Sequence, residues 1–225
     1  MKRQQVVLVD IDGTLLPASL EYWFLTFLLR THRIQLGTLS ADVATLLLHW
    51  PLPHWYQLKL IYLRGHSEET VRQWVQACWE ERIRPRLFPG VVEIVRRFKS
   101  TGARVVLLSG TLRPLAEPLM KYLQISEALC AEPELEAGFY TGQLRGPYPR
   151  GRRKVQAADV WLQAEGYHWN QVCALANHWD DRFLLSCAQY AIIINPGWRL
   201  RRYARRHGWV TIENPNDPAE SLSMP

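Results

Sequence analysis

The stretch that decides the fold is VVLVDIDGT, residues 6–14. Its four consecutive aliphatic residues are typical of a parallel strand that is buried on both faces. Asp10 and Asp12 follow this strand directly, and Gly13 allows the backbone to leave it sharply. Two carboxylates one residue apart repel each other unless a cation or a proton lies between them. The stretch therefore predicts a ligand site at the end of the first strand.

The same pattern, an apolar strand followed by a polar residue, recurs three times further along the chain. The segments are RVVLL before Ser109, VCALA before Asn177 and AIII before Asn195. Helical periodicity separates them, at residues 91–99, 112–123, 155–165, 181–188 and 198–206. Alternating strands and helices predict a doubly wound α/β fold with a parallel sheet. Ligands bind such sheets beyond the carboxyl ends of the strands, so we expect these polar residues to meet there.

Residues 17–87 show no strand pattern and are predicted to form an all-helical insert after the first strand. The predicted helices cover about residues 20–33, 41–50, 54–64 and 68–84. The chain is then divided into a core of residues 1–16 and 88–212, a helical cap of residues 17–87 and a flexible tail of residues 213–225. Within the core, LEAGFYTGQL at residues 135–144 predicts a small hairpin.

Composition excludes several classes of protein. The chain has 225 residues, of which 48% are apolar, and this is enough to bury a core and to exclude a disordered chain. No stretch of about 18 apolar residues is free of charge and proline, so a membrane-spanning helix is not expected. The net charge is +6, but no nucleic-acid motif accompanies the arginines. We therefore expect a cytoplasmic protein without a nucleic-acid partner.

Four motifs in chain order resemble those of the haloacid dehalogenase superfamily of Mg-dependent aspartyl phosphatases. They are Asp10-Ile11-Asp12-Gly13-Thr14, Ser109 in VVLLSGT, Lys154 in GRRKVQAAD, and Ala176-Asn177-His178-Trp179-Asp180-Asp181. A helical insert between the first two motifs resembles the C1-type cap of class IB, which includes phosphoserine phosphatase. The resemblance implies a Rossmann-like core and hydrolysis of a small phosphomonoester such as phosphoserine.

The resemblance also implies the catalytic roles. Asp10 would attack phosphorus and form an aspartyl-phosphate. Asp12 would protonate the departing alcohol and then deprotonate the attacking water. The phosphate would be bound by Ser109, by the amides of Gly110 and Thr111 at a helix start, and by Lys154. Arg153 is an alternative to Lys154, which is preferred because it directly precedes the apolar helix pattern.

Mg²⁺ is the implied cofactor, because it prefers hard oxygen ligands. Its implied ligands are the carboxylate of Asp10, the carbonyl oxygen of Asp12, and the side chains of Asn177 and Asp181. In the fourth motif, Ala176 and Asn177 replace the usual glycine and aspartate. An amide oxygen can ligate Mg²⁺ but brings no charge, so we expect an active site with a weakened metal affinity.

Several alternatives remain open at this point. Residues 34–58 contain one charged residue, Asp42, and many bulky apolar ones, and residues 17–87 hold five of the ten tryptophans. Such a cap fits either a bundle packed on the core or a peripheral membrane contact at the inner membrane face. The second case would suit a lipid-phosphate phosphatase resembling phosphatidylglycerophosphatase. A phosphotransferase and a catalytically silent binding module are further alternatives, and no feature indicates the oligomeric state.

Overall fold

The predicted doubly wound sheet is present in the computed structural model, which describes residues 6–34 and 57–217. The strands are β1 Val6–Val9, β2 Arg104–Leu112, β3 Glu127–Glu136, β4 Phe139–Arg145, β5 Val172–Ala176, β6 Tyr190–Ile194 and β7 Val210–Ile212. Their order across the sheet is β4-β3-β2-β1-β5-β6-β7. All neighbouring strands are parallel except β3 and β4. The strand that carries the first motif therefore lies at the centre of the sheet.

Helices cover both faces of this sheet. They are α1 Leu20–Arg30, α2 Glu68–Cys78, α3 Pro89–Ser100, α4 Arg113–Leu123, α5 Arg152–Ala164, α6 Arg182–Cys187 and α7 Trp198–His207. Successive side chains of a strand point to opposite faces. Val7 and Val9 accordingly join the apolar cluster that includes α3, α4 and cap residues, whereas Val6 and Leu8 join the cluster of α5, α6 and α7. Burial on both faces explains the continuous apolar run of β1.

Strand β2 extends past its predicted end. The ladder between β2 and β3 shifts its register between Leu108 and Leu112, which accommodates polar residues within the strand. Helix α4 begins only at Arg113, with Pro114 in its first turn. Proline favours a helix start because its fixed φ suits the first helical position. The predicted helix start at Gly110 and Thr111 is therefore wrong, since both residues lie in β2.

The predicted hairpin is the tip of a longer antiparallel pair, β3 and β4. Its two-residue turn consists of Ala137 and Gly138, both with positive φ, as the tight turns of hairpins require. The part of β3 before residue 135 was not predicted; it begins with the apolar run 128–131 and continues with Glu132, Pro133 and Glu134. Strand β7 was not predicted either.

The described part of the cap is helical, with only an isolated bridge between Ser67 and Phe139 of β4. Ser67 caps α2, because its hydroxyl accepts a hydrogen bond from the Thr70 amide at 3.2 Å. The helix predicted at residues 68–84 leaves the α conformation after Cys78, continues as a π-helical turn at Trp79–Ile83 and ends as a 3₁₀ turn at Arg84–Arg86. Pro85 explains this end, because proline cannot continue a helix.

Two other predicted helices of the cap lie partly or wholly outside the described residues. A 3₁₀ helix at Gln57–Leu63 covers part of the helix predicted at residues 54–64. The helix predicted at residues 41–50, and most of the apolar segment on which the membrane alternative rests, lie outside the described residues. No helix in the described ranges is long and apolar enough to span a membrane.

The start of the predicted flexible tail contacts the core. The Pro215 carbonyl accepts a hydrogen bond from the Gly90 amide at 3.0 Å, at the start of α3. Glu213 forms an ion pair with Arg201 of α7 at 2.6 Å. Residues 213–217 thus contact two helices, whereas residues 218–225 lie outside the described part of the chain, and the flexibility of the tail stays a prediction.

Candidate active site

A pocket of about 200 Å³ opens at the carboxyl ends of β1, β2 and β5. All predicted site residues line it except Thr111: Asp10, Asp12, Ser109, Gly110, Lys154, Asn177 and Asp181. The parallel register explains this convergence, because the Asp10 amide continues the ladder to the Leu175 carbonyl at 2.9 Å. The motifs, which are far apart in sequence, therefore meet at the edge of the sheet where ligands are expected.

Asp10 is buried at the end of β1 and both of its carboxylate oxygens are bound. Lys154 Nζ donates to Oδ1 at 2.6 Å, and Thr14 Oγ1 donates to Oδ2 at 3.1 Å. Burial raises the pKa of Asp10 to about 7, against the opposing effect of Lys154 and with a further increase from the nearby carboxylates of Asp181 and Asp12. Asp10 is thus held in one orientation beside a cation that favours its ionised form.

Lys154 is the buried cation of the pocket. It lies in the first turn of α5, and its Nζ donates to Asp10 Oδ1 and, at 2.7 Å, to Asp181 Oδ1. Burial alone would lower the pKa of Lys154, but the two carboxylates outweigh it and raise the pKa above its ordinary value. Arg153, the alternative considered from the sequence, is exposed. The structure therefore brings Lys154, and not Arg153, to Asp10.

Asp12 connects the cap to the core. Its Oδ1 accepts from the Leu20 amide at the start of α1 at 2.9 Å, and its Oδ2 accepts from Thr111 Oγ1 at 2.7 Å. Burial raises the pKa of Asp12 to about 7, and the negative charge of Glu21 adds to this shift, whereas the two hydrogen bonds oppose it. A carboxyl group with a pKa near neutrality can both donate and accept a proton at that pH.

The end of β2 differs in detail from the predicted phosphate site. The Thr111 amide donates to Ser109 Oγ at 3.3 Å, and the Thr111 hydroxyl donates to Asp12. Thr111 is fully buried and lies behind the pocket wall, whereas Ser109 and Gly110 line the pocket. Thr111 therefore orients the carboxylate of Asp12, and the binding of phosphate by Ser109 and Gly110 stays a prediction.

Gly13 and Asn177 are in close contact across the pocket. Gly13 has φ +81°, a conformation that favours glycine, and a Cβ at this position would collide with the Asn177 side-chain amide. The Asn177 amide oxygen faces Thr14 Oγ1 at 3.2 Å. The glycine of the first motif is therefore needed both for its backbone conformation and for the space that Asn177 occupies.

The oxygen atoms around Asp10 fit the ligands that a magnesium ion prefers. Asp10 Oδ2 and Asn177 Oδ1 lie 3.1 and 3.2 Å from the same Thr14 hydroxyl oxygen, so two hard oxygens face one region. Burial and neighbouring carboxylates raise the pKa of Asp10 and of Asp12, and a divalent cation would favour their ionised forms. Within the described ranges, no group of three His, Cys, Asp or Glu side chains forms a metal site. Asn177 and a backbone carbonyl would therefore have to complete the ligand set.

Asp181 has a different environment from the one expected of a metal ligand. Its Oδ1 accepts from Lys154 Nζ, and its Oδ2 accepts from the His178 amide at 3.3 Å. Through these contacts Asp181 positions Lys154, and its role as a magnesium ligand stays a prediction.

A family comparison agrees with this arrangement of motifs. The model of the haloacid dehalogenase-like hydrolases matches residues 7–186, from β1 to α6. The chain belongs to this family. The matched range includes all of the predicted site residues and the described part of the cap.

Relatives within the hydrolase family include phosphoserine phosphatases. One from Mycobacterium tuberculosis is 28% identical over 150 residues, which are 67% of this chain and 49% of that protein. Another from Archaeoglobus fulgidus is 29% identical over 147 residues, 64% of this chain and 42% of that protein. The chain thus spans about half the length of the curated relatives it matches.

Solved structures show the same fold. A Bordetella pertussis Tohama I protein with unknown function matches with a TM-score of 0.84 and 25% identity, over 94% of this chain and 99% of that one. A phosphoserine phosphatase in its apo form matches with a TM-score of 0.68 and 16% identity, over 97% and 98% of the two chains. The predicted core fold is therefore confirmed.

Two pocket residues, Tyr148 and Arg150, were not predicted from the sequence. The buried Tyr148 has its hydroxyl against Gly110, where a Cβ would lie 2.6 Å from the phenol oxygen. Arg150 donates to Asp180 Oδ2 at 3.1 Å, at the mouth of the pocket. Tyr148 and Arg150 precede α5 in a loop without periodicity, so only their proximity to Lys154 in sequence could have indicated them.

Proposed function

We propose that this chain is a Mg²⁺-dependent phosphomonoesterase that acts through an aspartyl-phosphate on Asp10. The observation that carries the proposal is the environment of the Asp10 carboxylate, which is buried at a strand end between Lys154 Nζ and Thr14 Oγ1. A carboxylate nucleophile must be ionised and fixed in orientation, and these two donors favour both conditions. The relatives named phosphoserine phosphatase support the same chemistry.

The reaction would proceed in two displacements at phosphorus. A carboxylate oxygen of Asp10 forms a bond to phosphorus while the bond to the ester oxygen breaks, and Asp12 gives its proton to the departing alcohol. Asp12 then takes a proton from water, whose oxygen attacks phosphorus and releases Asp10 and inorganic phosphate. Two hydrogen bonds, from Leu20 N–H and Thr111 Oγ1, hold Asp12 in place for both transfers.

Positive charge in the pocket would stabilise the phosphoryl group. The Lys154 ammonium offsets negative charge on the phosphoryl oxygens and on Asp10. Mg²⁺ held by Asp10, the Asp12 carbonyl and Asn177 would supply further positive charge next to these oxygens. Ser109 and Gly110 also line the pocket, where the serine hydroxyl can donate to the phosphate.

Phosphoserine is the substrate class we favour. Glu21, in the first turn of α1, is buried and directly follows Leu20, whose amide donates to Asp12, so it lies close to the group that would protonate the leaving alcohol. A carboxylate in this position suits the ammonium of an amino acid. Arg64, a second charged residue of the cap, is exposed and packs on Gly142 of the hairpin. The cation that lines the pocket mouth is Arg150, which suits the carboxylate of the substrate.

The test is phosphate release from phosphoserine, phosphoethanolamine, sugar phosphates and a lipid phosphate, each with Mg²⁺ and with EDTA. We expect turnover that requires Mg²⁺ and is lost in Asp10→Asn. The matched control is Asp159→Asn on α5, where an amide oxygen can still accept the hydrogen bond from Trp169 Nε1. Activity that survives in Asp10→Asn would contradict the nucleophile, and an added alcohol that captures the phosphate would indicate a phosphotransferase.

A further inference from the structure

The outer face of α7 carries one exposed tryptophan among arginines. Trp198 is 77% exposed, and Arg202, Arg205 and Arg206 follow it at spacings of four, seven and eight residues. These spacings place the four side chains on one side of a helix. Leu200 and Ala204 are buried on the opposite side. We call the set of Trp198, Arg202, Arg205 and Arg206 the basic face.

The charge of the basic face is not balanced by nearby carboxylates. Helix α7 has the sequence WRLRRYARRH, which contains no acidic residue. Its Arg201, beside the face, forms an ion pair with Glu213. Arg202, Arg205 and Arg206 form no ion pair with residues 6–34 or 57–217. Three like charges on adjacent turns repel one another, so this face favours an anionic partner.

The basic face begins at the same edge of the sheet as the pocket. Helix α7 follows the carboxyl end of β6, and its first turn carries Trp198 and Arg199. The Arg199 guanidinium lies 4.1 Å from the centre of the Trp179 ring, and Arg182 lies 4.5 Å from the same ring. Trp179 belongs to the turn Trp179–Asp181, which contributes Asp181 to the pocket. Additional positive charge thus connects the basic face to the pocket mouth.

We infer that the basic face docks the protein on an anionic phospholipid surface. The indole ring and the arginines lie on the same side of the helix, and both suit the headgroup region of such a surface. Tryptophan prefers the headgroup level, and guanidinium groups bind the lipid phosphates. Exposure to water is favourable for the arginines but unfavourable for the apolar ring of Trp198, which is 77% exposed. Docking would place the pocket edge next to the bilayer. This surface lies on α7, and is independent of the cap segment from which a membrane contact was predicted.

The expected strength follows from the number of charges. Each arginine near an anionic bilayer contributes about a fivefold gain in partitioning at low salt. The three arginines of the basic face together give on the order of a hundredfold preference for anionic over neutral vesicles, and salt should reduce it. Removal of the indole ring should cost about another tenfold.

The experiment is flotation of the full chain with phosphatidylcholine vesicles, with and without phosphatidylglycerol. We expect flotation only with phosphatidylglycerol, and at least a fivefold loss in each of the variants Arg202→Glu and Trp198→Ala. The matched controls are Arg145→Glu and Phe139→Ala on β4, at the opposite edge of the sheet from α7. Both control side chains are exposed, and both changes should leave flotation unaltered.

Three outcomes would overturn the proposal. They are absence of flotation with anionic vesicles, equal flotation with neutral vesicles, and flotation that the two α7 variants retain. Binding to duplex DNA that these variants lose, without any vesicle binding, would assign the face to nucleic acid instead. Asp10→Asn should float like the unchanged protein, so a failure of the proposed hydrolysis and a failure of docking give different results.

Discussion

The substitution Asn177→Asp tests the metal site most directly. It restores the carboxylate that the fourth motif usually carries, and changes the amide nitrogen to an oxygen without a change in side-chain length. Without metal, the new carboxylate adds to the three of Asp10, Asp12 and Asp181, of which Asp10 and Asp181 contact the buried Lys154. We therefore expect the variant to be less stable than the unchanged protein in EDTA and more responsive to Mg²⁺.

The size of the effect follows from two distances. Asp10 Oδ2 and Asn177 Oδ1 lie 3.1 and 3.2 Å from Thr14 Oγ1, so the two oxygens are at most about 6 Å apart. Two negative charges at about 6 Å repel by about 3 kcal/mol at an effective dielectric constant near 20. Attraction to Lys154 offsets part of this, which leaves a loss of about 1–3 kcal/mol. For a chain of this length the melting temperature should fall by about 3–10 °C.

Mg²⁺ should reduce this difference. A charged ligand binds the dication more tightly than a neutral amide, and a tenfold lower dissociation constant adds about 1.4 kcal/mol at saturating metal. The assay is the melting temperature in EDTA and across a series of MgCl₂ concentrations. Phosphate release under the same conditions should show a lower half-saturating concentration of Mg²⁺.

A control and a refuting result complete this test. Asn216→Asp makes the same chemical change at an exposed position, and should alter neither the melting temperature nor its response to Mg²⁺. If Asn177→Asp melts like the unchanged protein in EDTA and needs the same Mg²⁺ concentration for half-maximal activity, Asn177 is not near the metal.

Three further predictions concern the pocket walls. Lys154→Met should lower the free energy of unfolding by about 3–5 kcal/mol, because its two buried carboxylate partners lose their cation. Urea denaturation measures this change. A loss below about 1 kcal/mol would contradict the buried ion pairs. Gly13→Ala should lower the melting temperature more than Gly65→Ala, because both have positive φ but only the Gly13 Cβ meets other atoms. Gly110→Ala should reduce phosphate release, because its Cβ would lie 2.6 and 2.7 Å from Oη and Cζ of Tyr148, and Tyr148→Ala should partly restore it; a double variant no better than Gly110→Ala would exclude that clash.

The elements that could be predicted from sequence are those whose environment is uniform along the segment. Strand β1 is buried at every position, so its composition alone identifies it. Strand β3 changes from mostly buried apolar residues at 128–131 to half-buried Glu132, Pro133 and Glu134, so its composition does not identify one strand. The predicted end of β2 was wrong, because a register shift that depends on pairing with β3 keeps Gly110 and Thr111 in the strand. Partners that are distant in sequence decide such positions.

The same distinction holds within the site. Asp10 and Lys154 were identified because a local element places each of them, a strand end and a helix start. Tyr148 and Arg150 come from an irregular loop, and their positions depend on how that loop crosses the pocket. The contact between Asp181 and Lys154 also required coordinates, because the two residues are 27 positions apart and belong to different elements.

The cap influences the proton affinity of Asp12 through the start of α1. The Leu20 amide, which donates to Asp12 Oδ1, is one of the helix's first amides and has no partner within the helix. Such amides carry partial positive charge, and this hydrogen bond lowers the pKa of Asp12. Glu21, one residue further, raises that pKa, and its Oε1 accepts from the Leu112 amide at the end of β2. Two adjacent cap residues therefore act in opposite directions on the same carboxyl group, so any displacement of α1 relative to β2 would change the acidity of Asp12 as well as the access of substrate.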